Sequence, residues 1–230
     1  MKRILFTLFI GFTSYLNLQS QSQDLPHSQG ITWSPVDAFM PKLPRYRFGY
    51  IRDIKDHFKI GIDIGVGHED ICFTKDSNKD RFTDDSDNYL LWEIRPEIYY
   101  IFRPDNIKTH WYLSLSPYVL HHSESYRNGY YIPLDPDIIF QDYDRVDFER
   151  KEYGYAFKVG FFRKVMDRLQ LNVAMGFVQY SRNSTFTNLE DNGNYYYPEY
   201  DDSDDYRVYE GVSKDLDIHV DFRLYYRLSK

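Results

Sequence analysis

The sequence predicts an all-β protein in which eight antiparallel strands form an up-and-down barrel. Three observations lead to this prediction: apolar and polar residues alternate in eight stretches, aromatic residues make up 19% of the chain, and short connections alternate with long ones. Alternation with a period of two is typical of strands, because successive side chains point to opposite faces. Tyr and Phe, with 23 and 17 copies, also favour strands.

The clearest alternation runs through residues 57–67. One parity of this stretch is wholly apolar, whereas the other holds only His, Lys, Asp and Gly. We therefore expect a strand with an apolar environment on one side and a polar, crowded space on the other. The apolar residues are Phe58, Ile60, Ile62, Ile64 and Val66.

The remaining strands repeat this pattern along the chain. Pro35 makes the first of them the weakest match, because proline cannot donate a hydrogen bond within a sheet. Two further prolines, Pro41 and Pro44, predict the turn that follows it, and Pro104-Asp105-Asn106 predicts a tight turn after the fourth strand. The eight predicted strands are residues 30–39, 45–53, 57–67, 90–103, 110–119, 152–161, 169–177 and 216–228.

The connections between these strands follow a regular order. Those after the second, fourth and sixth strands are short, and those after the third, fifth and seventh are long loops at residues 68–88, 122–150 and 182–214. Only the short connection after the first strand departs from the order. Short turns at one end and long loops at the other are typical of transmembrane β-barrels in bacterial outer membranes, where the turns are periplasmic and the loops extracellular.

The polar parity carries charges of both signs in mid-strand, and we expect these side chains to line the interior as a charge network. In a soluble barrel such as a lipocalin the faces would be reversed, with an apolar interior. The large aromatic residues of the apolar parity would overfill the interior of eight strands, so a lipid-facing apolar surface is favoured. The predicted interior charges are Lys59, Asp63, Glu93, Arg95, Glu97, Lys158, Asp221 and Arg223.

The N-terminus has the order of a secretory signal peptide. Lys2 and Arg3 precede the apolar run 4–16, and a polar Gln/Ser segment follows it. We predict a signal peptide at residues 1–20, a flexible segment at 21–29 and the barrel domain at 30–230, exported to the cell outer membrane. A run long enough for a membrane helix is absent from the rest of the sequence.

Charge and cysteine content exclude several classes of protein. The single cysteine, Cys72, leaves no intrachain disulfide. Loss of the two basic residues of the signal changes the net charge from -7 to -9, and an acidic exported chain is a poor partner for nucleic acid.

Several of these segments together resemble the small outer-membrane β-barrels of the OmpA/OmpW-like type, as common in Bacteroidetes. The resemblance implies a Gram-negative outer-membrane protein that contacts outer-membrane lipid and lipopolysaccharide and the barrel assembly machinery. The chain ends in Leu228-Ser229-Lys230, whereas the family usually ends in an aromatic residue. The resemblance is carried by Tyr46-Arg47-Phe48-Gly49-Tyr50, by the 58–67 strand, by Arg95-Pro96-Glu97-Ile98-Tyr99-Tyr100 and by residues 220–228.

Three loop features suggest chemistry but have simpler explanations. Residues 76–87 place oxygens as in a calcium loop, yet Arg81 stands where the loop needs glycine. This segment and the acidic run 201–205 are better explained as solvated acidic loops. At most, they share divalent cations loosely with lipopolysaccharide. His121 and Ser123 resemble the His-x-Ser of a lipid A deacylase barrel, with Asp135 or Asp137 as the third member. Tyrosines from 195 to 209 offer a contact surface or extend the strands.

We therefore expect a non-enzymatic protein, without cofactor or metal, whose role is structural or interaction-based through its external loops and a partner docked there. One alternative is a narrow channel or carrier for small solutes, in which the interior charges line a pore. A second is a lipid A-modifying enzyme that uses His121 and Ser123. In a barrel of eight strands, interior charges form a salt-bridge plug more readily than a pore.

Overall fold

The computed structural model describes residues 28–39, 43–70, 83–102, 104, 108–134, 141–190 and 209–228. Eight strands, each antiparallel to its neighbours, follow one another in chain order around a closed ring, and β8 pairs with β1. The predicted all-β, eight-stranded up-and-down barrel is confirmed. The strands are β1 (Gln29–Ser34), β2 (Tyr46–Lys55), β3 (Phe58–His68), β4 (Thr83–Ile101), β5 (Thr109–Tyr131), β6 (Gln141–Lys164), β7 (Leu169–Glu190) and β8 (Gly211–Arg227).

The two faces of the strands lie as predicted. Large apolar side chains on the outside are well exposed, for example Phe58 at 44%, Leu115 at 48% and Phe157 at 50%, whereas Asp63 and Arg223 on the inside are exposed by only 2% and 1%. This arrangement excludes the soluble barrel with an apolar interior. No helix among the described residues is long and apolar enough to cross a membrane.

The first strand is shorter than predicted. The prediction of a strand through Phe39 is wrong beyond Ser34, because Pro35 ends the pairing and residues Val36–Phe39 form a 3₁₀-helix, η1. The backbone carbonyl oxygen of Asp37 in η1 accepts a hydrogen bond from the backbone N–H of Arg45 at 3.0 Å. Further on, Leu43 packs against buried apolar residues inside the barrel. The described parts of the connection after β1 therefore pack against the inner side of the barrel.

Strands extend into all three of the predicted long loops. β5 continues to Tyr131 and β6 starts at Gln141, so the predicted loop 122–150 is mostly paired, and β7 and β8 extend into the predicted loop 182–214 in the same way. β4 likewise begins at Thr83 within the predicted loop 68–88. These extensions have an apolar core of their own on the inner face, made by Tyr126, Tyr143, Val146, Phe148 and Phe186.

Hydrogen bonds also join the extensions across three strands. The carboxylate of Asp147 in β6 accepts hydrogen bonds from the side chains of Asn188 in β7 and Ser125 in β5, each at 2.7 Å. These bonds hold the pKa of Asp147 below its ordinary value of 3.8. The extensions thus continue the sheet beyond the part of the barrel whose outward side chains are apolar.

The interior is layered along the strands. The inward residues of β4, taken from the end with short turns, are first apolar or aromatic (Ile101 and Tyr99), then charged at positions 97, 95 and 93, then apolar again (Leu91 and Tyr89). Tyr99 belongs to a cluster with Tyr112 and Phe162 below the charges, and Leu91 belongs to another above them. A charged layer therefore lies between two apolar layers.

Candidate functional site

Arg223 of β8 lies at the centre of the charged layer. Its guanidinium donates to Asp63 Oδ2 of β3 and to Glu97 Oε2 of β4, both at 2.8 Å, and to the neighbouring Asp221. It also donates to the hydroxyl of Tyr99 at 3.0 Å. The alternation of side chains along β3, β4 and β8 turns all of these groups inward, and the barrel closure brings them to one level.

Lys158 of β6 and Arg47 of β2 complete the layer from the other sides. Lys158 Nζ lies 2.8 Å from Glu97 Oε1 and 3.1 Å from Asp221 Oδ2. Arg47 donates to Asp221 Oδ1 at 2.6 Å and lies 3.0 Å from Asp37 Oδ2 of η1. Glu97 and Asp221 are therefore each shared between two or more cations, whereas Asp63 pairs with Arg223 alone among the described side chains.

Glu93 forms the upper part of the layer. It accepts a hydrogen bond from Arg45 Nε at 2.7 Å and from Arg95 Nε at 2.8 Å, and its side chain has no exposed surface. The guanidinium of Arg95 also lies 4.4 Å from the centre of the Tyr118 ring, a cation–π contact. Thus the layer is tied to the aromatic wall above it.

Seven of the eight interior charges predicted from the sequence lie in this layer. The structure places the eighth, Lys59, nearer the short turns, where it pairs with Asp53. The prediction omitted Arg45 and Arg47, although both have the inward parity of β2, and it omitted Asp37, because η1 was predicted as strand. The layer comprises Asp37, Arg45, Arg47, Asp63, Glu93, Arg95, Glu97, Lys158, Asp221 and Arg223.

The charges of this layer balance, since five cations meet five carboxylates. Nine of these ten residues are exposed by less than 9%, and Arg45 by 9%. A neutral, densely hydrogen-bonded layer fills the space within the strands. We refer to these ten residues below as the plug.

A cavity of about 900 Å³ lies directly above the plug, on the side of the strand extensions. Arg95 and His219 belong to its floor, and Tyr118, Leu120 and Val178 to its wall. β8 lines its front with Asp215 and Asp217, while Arg150 and Glu152 of β6 and Arg182 of β7 line the adjoining wall. We call this cavity the vestibule.

The structure does not bring His121 and Ser123 together by a hydrogen bond within the described part of the chain. His121 Nε2 instead lies 2.8 Å from Glu149 Oε1, and its ring stacks on Trp92 with the ring centres 5.5 Å apart. The pKa of Glu149 is lowered by hydrogen bonds from Lys151 and His121. The third-member candidates, Asp135 and Asp137, lie outside the described residues.

Other predicted features also lie outside the described residues. They include the signal peptide, most of the calcium-like segment, the acidic run 201–205, Cys72 and the tyrosines from 195 to 206. Within the described ranges, no group of three or more His, Cys, Asp or Glu side chains is arranged to hold a metal ion.

Comparison with known proteins gives distant structural likenesses. No protein-family model and no curated protein matches the chain. A major outer membrane protein from Thermus thermophilus is similar with a TM-score of 0.45 and 10% identity, covering 88% of this chain and 99% of that one. The outer membrane protease OmpT from Escherichia coli is similar with a TM-score of 0.43 and 9% identity, covering 88% and 93%. Likenesses of this size establish neither a shared family nor a shared activity.

Proposed function

We propose that this protein is an integral outer-membrane β-barrel without enzymatic chemistry, exported by its N-terminal signal peptide. Its barrel is sealed by the plug, and its role is structural or interaction-based, through the strand extensions and loops on the external side. The observation that carries the proposal is the combination of an exposed apolar outer surface with a neutral, buried ionic interior.

The outer surface has the height that a membrane requires. On β4 the exposed apolar side chains run from Leu90 to Phe102. At about 3.3 Å per residue and a tilt of about 45°, this stretch covers roughly 28 Å along the membrane normal, close to the apolar band of about 25 Å in outer-membrane barrels. Exposed apolar patches of this extent are rare on soluble proteins. Lipid is therefore the partner that this surface fits.

The plug argues against the alternative of a narrow channel. A conducting pore needs a continuous polar path, whereas the ten plug residues use their charges on one another and the apolar layer around Tyr99, Tyr112 and Phe162 lies beneath them. Eight strands leave room in the interior only for side chains. The external role follows, because the remaining polar surface lies at the strand extensions.

Membrane fractionation with gel mobility before and after boiling tests the membrane location. We expect the protein in the outer-membrane fraction, with a mobility that changes on heating because a folded barrel resists detergent. Recovery in the soluble periplasmic fraction would refute the location, whatever the mobility.

Planar-bilayer recording of the purified, folded protein tests the plug. We expect no steady conductance from the wild-type protein. Steady single-channel steps would overturn the sealed barrel and would favour the narrow channel or carrier instead. Unchanged lipid A acyl chains in cells with and without the protein would dispose of the lipid A-modifying alternative.

A further inference from the structure

The wall of the barrel has an incomplete seam between β8 and the start of the chain. β1 pairs with β8 only from Gly30 to Trp33, opposite Arg227 to Leu224. Beyond Ser34 the chain turns into η1, which is tied to β2 through Asp37 and Arg47. No strand of the described chain pairs with β8 above Leu224 on this side.

Alternate residues of β8 direct their backbone groups toward the seam. Leu228 donates its N–H to Gln29 of the N-terminal side, whereas Arg227 donates to Arg168 on the β7 side. Because backbone groups alternate in an antiparallel strand, the other even-numbered residues of β8 face the seam as well. The N–H of Ile218 illustrates this, since its hydrogen bond is to the carboxylate of the adjacent Asp217 at 2.6 Å.

The seam lies at the depth of the apolar band. Leu216, Ile218 and Val220 point outward beside it with exposures of 70%, 65% and 65%, and Phe39 on the opposite margin is exposed by 63%. Backbone groups without partners are strongly unfavourable in hydrocarbon, and such backbone is tolerated at this depth only where it lines a polar cavity. The vestibule is the polar cavity behind this edge.

The inner face of β8 is open to the vestibule at the same height. Asp215 and Asp217 have the inward parity but are exposed, whereas Asp221 and Arg223 lower on the same face are exposed by only 1%. Neither Asp215 nor Asp217 has an ion-pair partner among the described side chains. The front wall of the vestibule is thus negative and accessible.

The adjoining wall, formed by β6 and β7, carries two arginines. Arg150 and Arg182 both contact the carboxylate of Glu152, to which Tyr118 also donates a hydrogen bond. Arg182 pairs in register with Ser213 of β8, so Asp215, two residues further along, is its diagonal neighbour, with about 7 Å between the Cβ atoms. The vestibule is therefore lined by cationic and anionic side chains on neighbouring strands.

We propose that the seam is a lateral portal through which a membrane lipid places its headgroup in the vestibule, and that this headgroup is zwitterionic, with a phosphate and an ammonium group. The phosphate binds the guanidinium groups of Arg150 and Arg182, and the ammonium binds Asp215 and Asp217. The acyl chains stay in the membrane against the outward apolar residues of β8. This inference rests on the proposed membrane location.

Lipid retention by the purified, folded protein, followed by native mass spectrometry, tests the headgroup. The probes are phosphatidylethanolamine, phosphatidylglycerol and diacylglycerol with identical acyl chains, and water-soluble phosphoethanolamine. We expect the wild-type protein to retain one molecule of phosphatidylethanolamine. Its retention should exceed that of phosphatidylglycerol and of diacylglycerol by about tenfold, because each of these lipids lacks at least one charged hydrogen bond to the site. Equal retention of diacylglycerol would overturn the headgroup site, and equal binding of phosphoethanolamine would identify a soluble ligand and overturn the lipid as its source.

Variants assign the two charges separately. Arg182→Gln should lower phosphatidylethanolamine retention about tenfold, and Asp215→Asn/Asp217→Asn should remove the preference over phosphatidylglycerol. Lys151→Gln, which removes an exposed cation beside Arg150, is the matched control and should change neither. Unaltered retention in the Arg182 and Asp variants would refute the assignment. The wild-type comparison stands by itself if a variant does not fold.

A phosphatidylethanolamine with a photoreactive group in its acyl chain tests the portal. Cross-links should concentrate on residues 216–222 and on η1, and even labelling around the barrel would refute lateral entry. The same preparation is checked for heat-dependent mobility and for insertion into vesicles. If these fail, the membrane location fails; if they hold while lipid selectivity is absent, only the present inference fails.

Discussion

Replacement of Arg223 by methionine is the most direct test of the plug. Arg223 is exposed by 1%, and it contacts three carboxylates, those of Asp63, Glu97 and Asp221. Methionine keeps most of the volume but removes the charge and every donor. The substitution therefore changes the electrostatics of the plug with little change in packing.

The expected loss follows from what each carboxylate retains. Glu97 keeps Lys158 at 2.8 Å, and Asp221 keeps Arg47 at 2.6 Å, so these two remain paired. Asp63 keeps only the hydroxyl of Thr32 at 3.0 Å among its described partners. Removing one partner of a buried ion pair costs about 3–5 kcal/mol. Since one of the three carboxylates, that of Asp63, loses its only described cationic partner, we expect Arg223→Met to lower the free energy of unfolding by about 4 kcal/mol.

Urea unfolding in lipid vesicles measures this loss. The three tryptophans, Trp33, Trp92 and Trp111, all lie on the outer surface, so their fluorescence reports the transfer from lipid to water. Arg168→Met is the control, because Arg168 is exposed in the turn between β6 and β7. We expect the control to change the free energy of unfolding by less than about 0.5 kcal/mol.

A second substitution separates charge from packing. If the carboxylate of Asp63 is left buried without a cation, Asp63→Asn should restore part of the free energy of unfolding that Arg223→Met loses. We expect a coupling energy between the two substitutions of about 2 kcal/mol, the size of a charged hydrogen bond. A loss below about 1 kcal/mol in Arg223→Met, or additive effects of the two substitutions, would refute the account of the plug as a coupled ionic layer.

Three other expectations follow from the wall and the extensions. Phe157→Arg, at the middle of the apolar stretch of β6, should disfavour folding into vesicles by about 2–4 kcal/mol, measured as in the unfolding experiment. Gly176→Ala would place a Cβ in collision with the backbone oxygen of Phe157 and should prevent correct pairing of β6 with β7. Gly61→Ala, whose Cβ would have its nearest atom at 3.1 Å, should fold, as gel mobility would report. Because the folded-state pKa of Asp147 is lowered, its contribution is present above the ordinary value of 3.8 and lost as the pH falls below it. Protection from hydrogen exchange in the extensions, taken relative to the intrinsic exchange rate at each pH, should therefore fall below pH 3.8 in the wild type, and Asp147→Asn should show the lower protection at higher pH as well; unchanged protection in either case contradicts the expectation.

The facing of the strands could be predicted because a barrel with an apolar outer surface and a charged interior imposes a rule on every second residue. Phe58 and Phe222, at opposite ends of the sequence, both lie outside, and Asp63 and Arg223 both lie inside. The same rule explains the errors. Outside the apolar band, outward positions of β5 such as Ser123 need not be apolar, so the pattern disappears while the strand continues to Tyr131. Strand length above the band depends on inner packing, as in the Tyr126 cluster.

The pairing of charges in the plug could not be predicted in the same way. Parity shows that Arg223 and Asp63 point inward, but their contact joins residues 160 positions apart and depends on the register of every strand between them. The contact of Asp37 with Arg47 was also not predicted. Residues 36–39 were predicted as strand, and it is the 3₁₀-helix that brings the carboxylate of Asp37 near Arg47. Alternation therefore predicts which residues are enclosed, and register decides which of them meet.

The short first strand contributes to both the plug and the vestibule. Because Pro35 ends β1 early, η1 supplies Asp37 to Arg47 and gives the plug its fifth carboxylate. The same early end leaves β8 unpaired above Leu224 on that side among the described strands, so the wall beside the vestibule is incomplete. A β1 that continued to the height of Asp217 would close the seam but would remove η1 from the interior. The fifth carboxylate of the plug and the open side of the vestibule thus both follow from the early end of β1, and a variant with a longer β1 should lose lipid selectivity while it also weakens the plug.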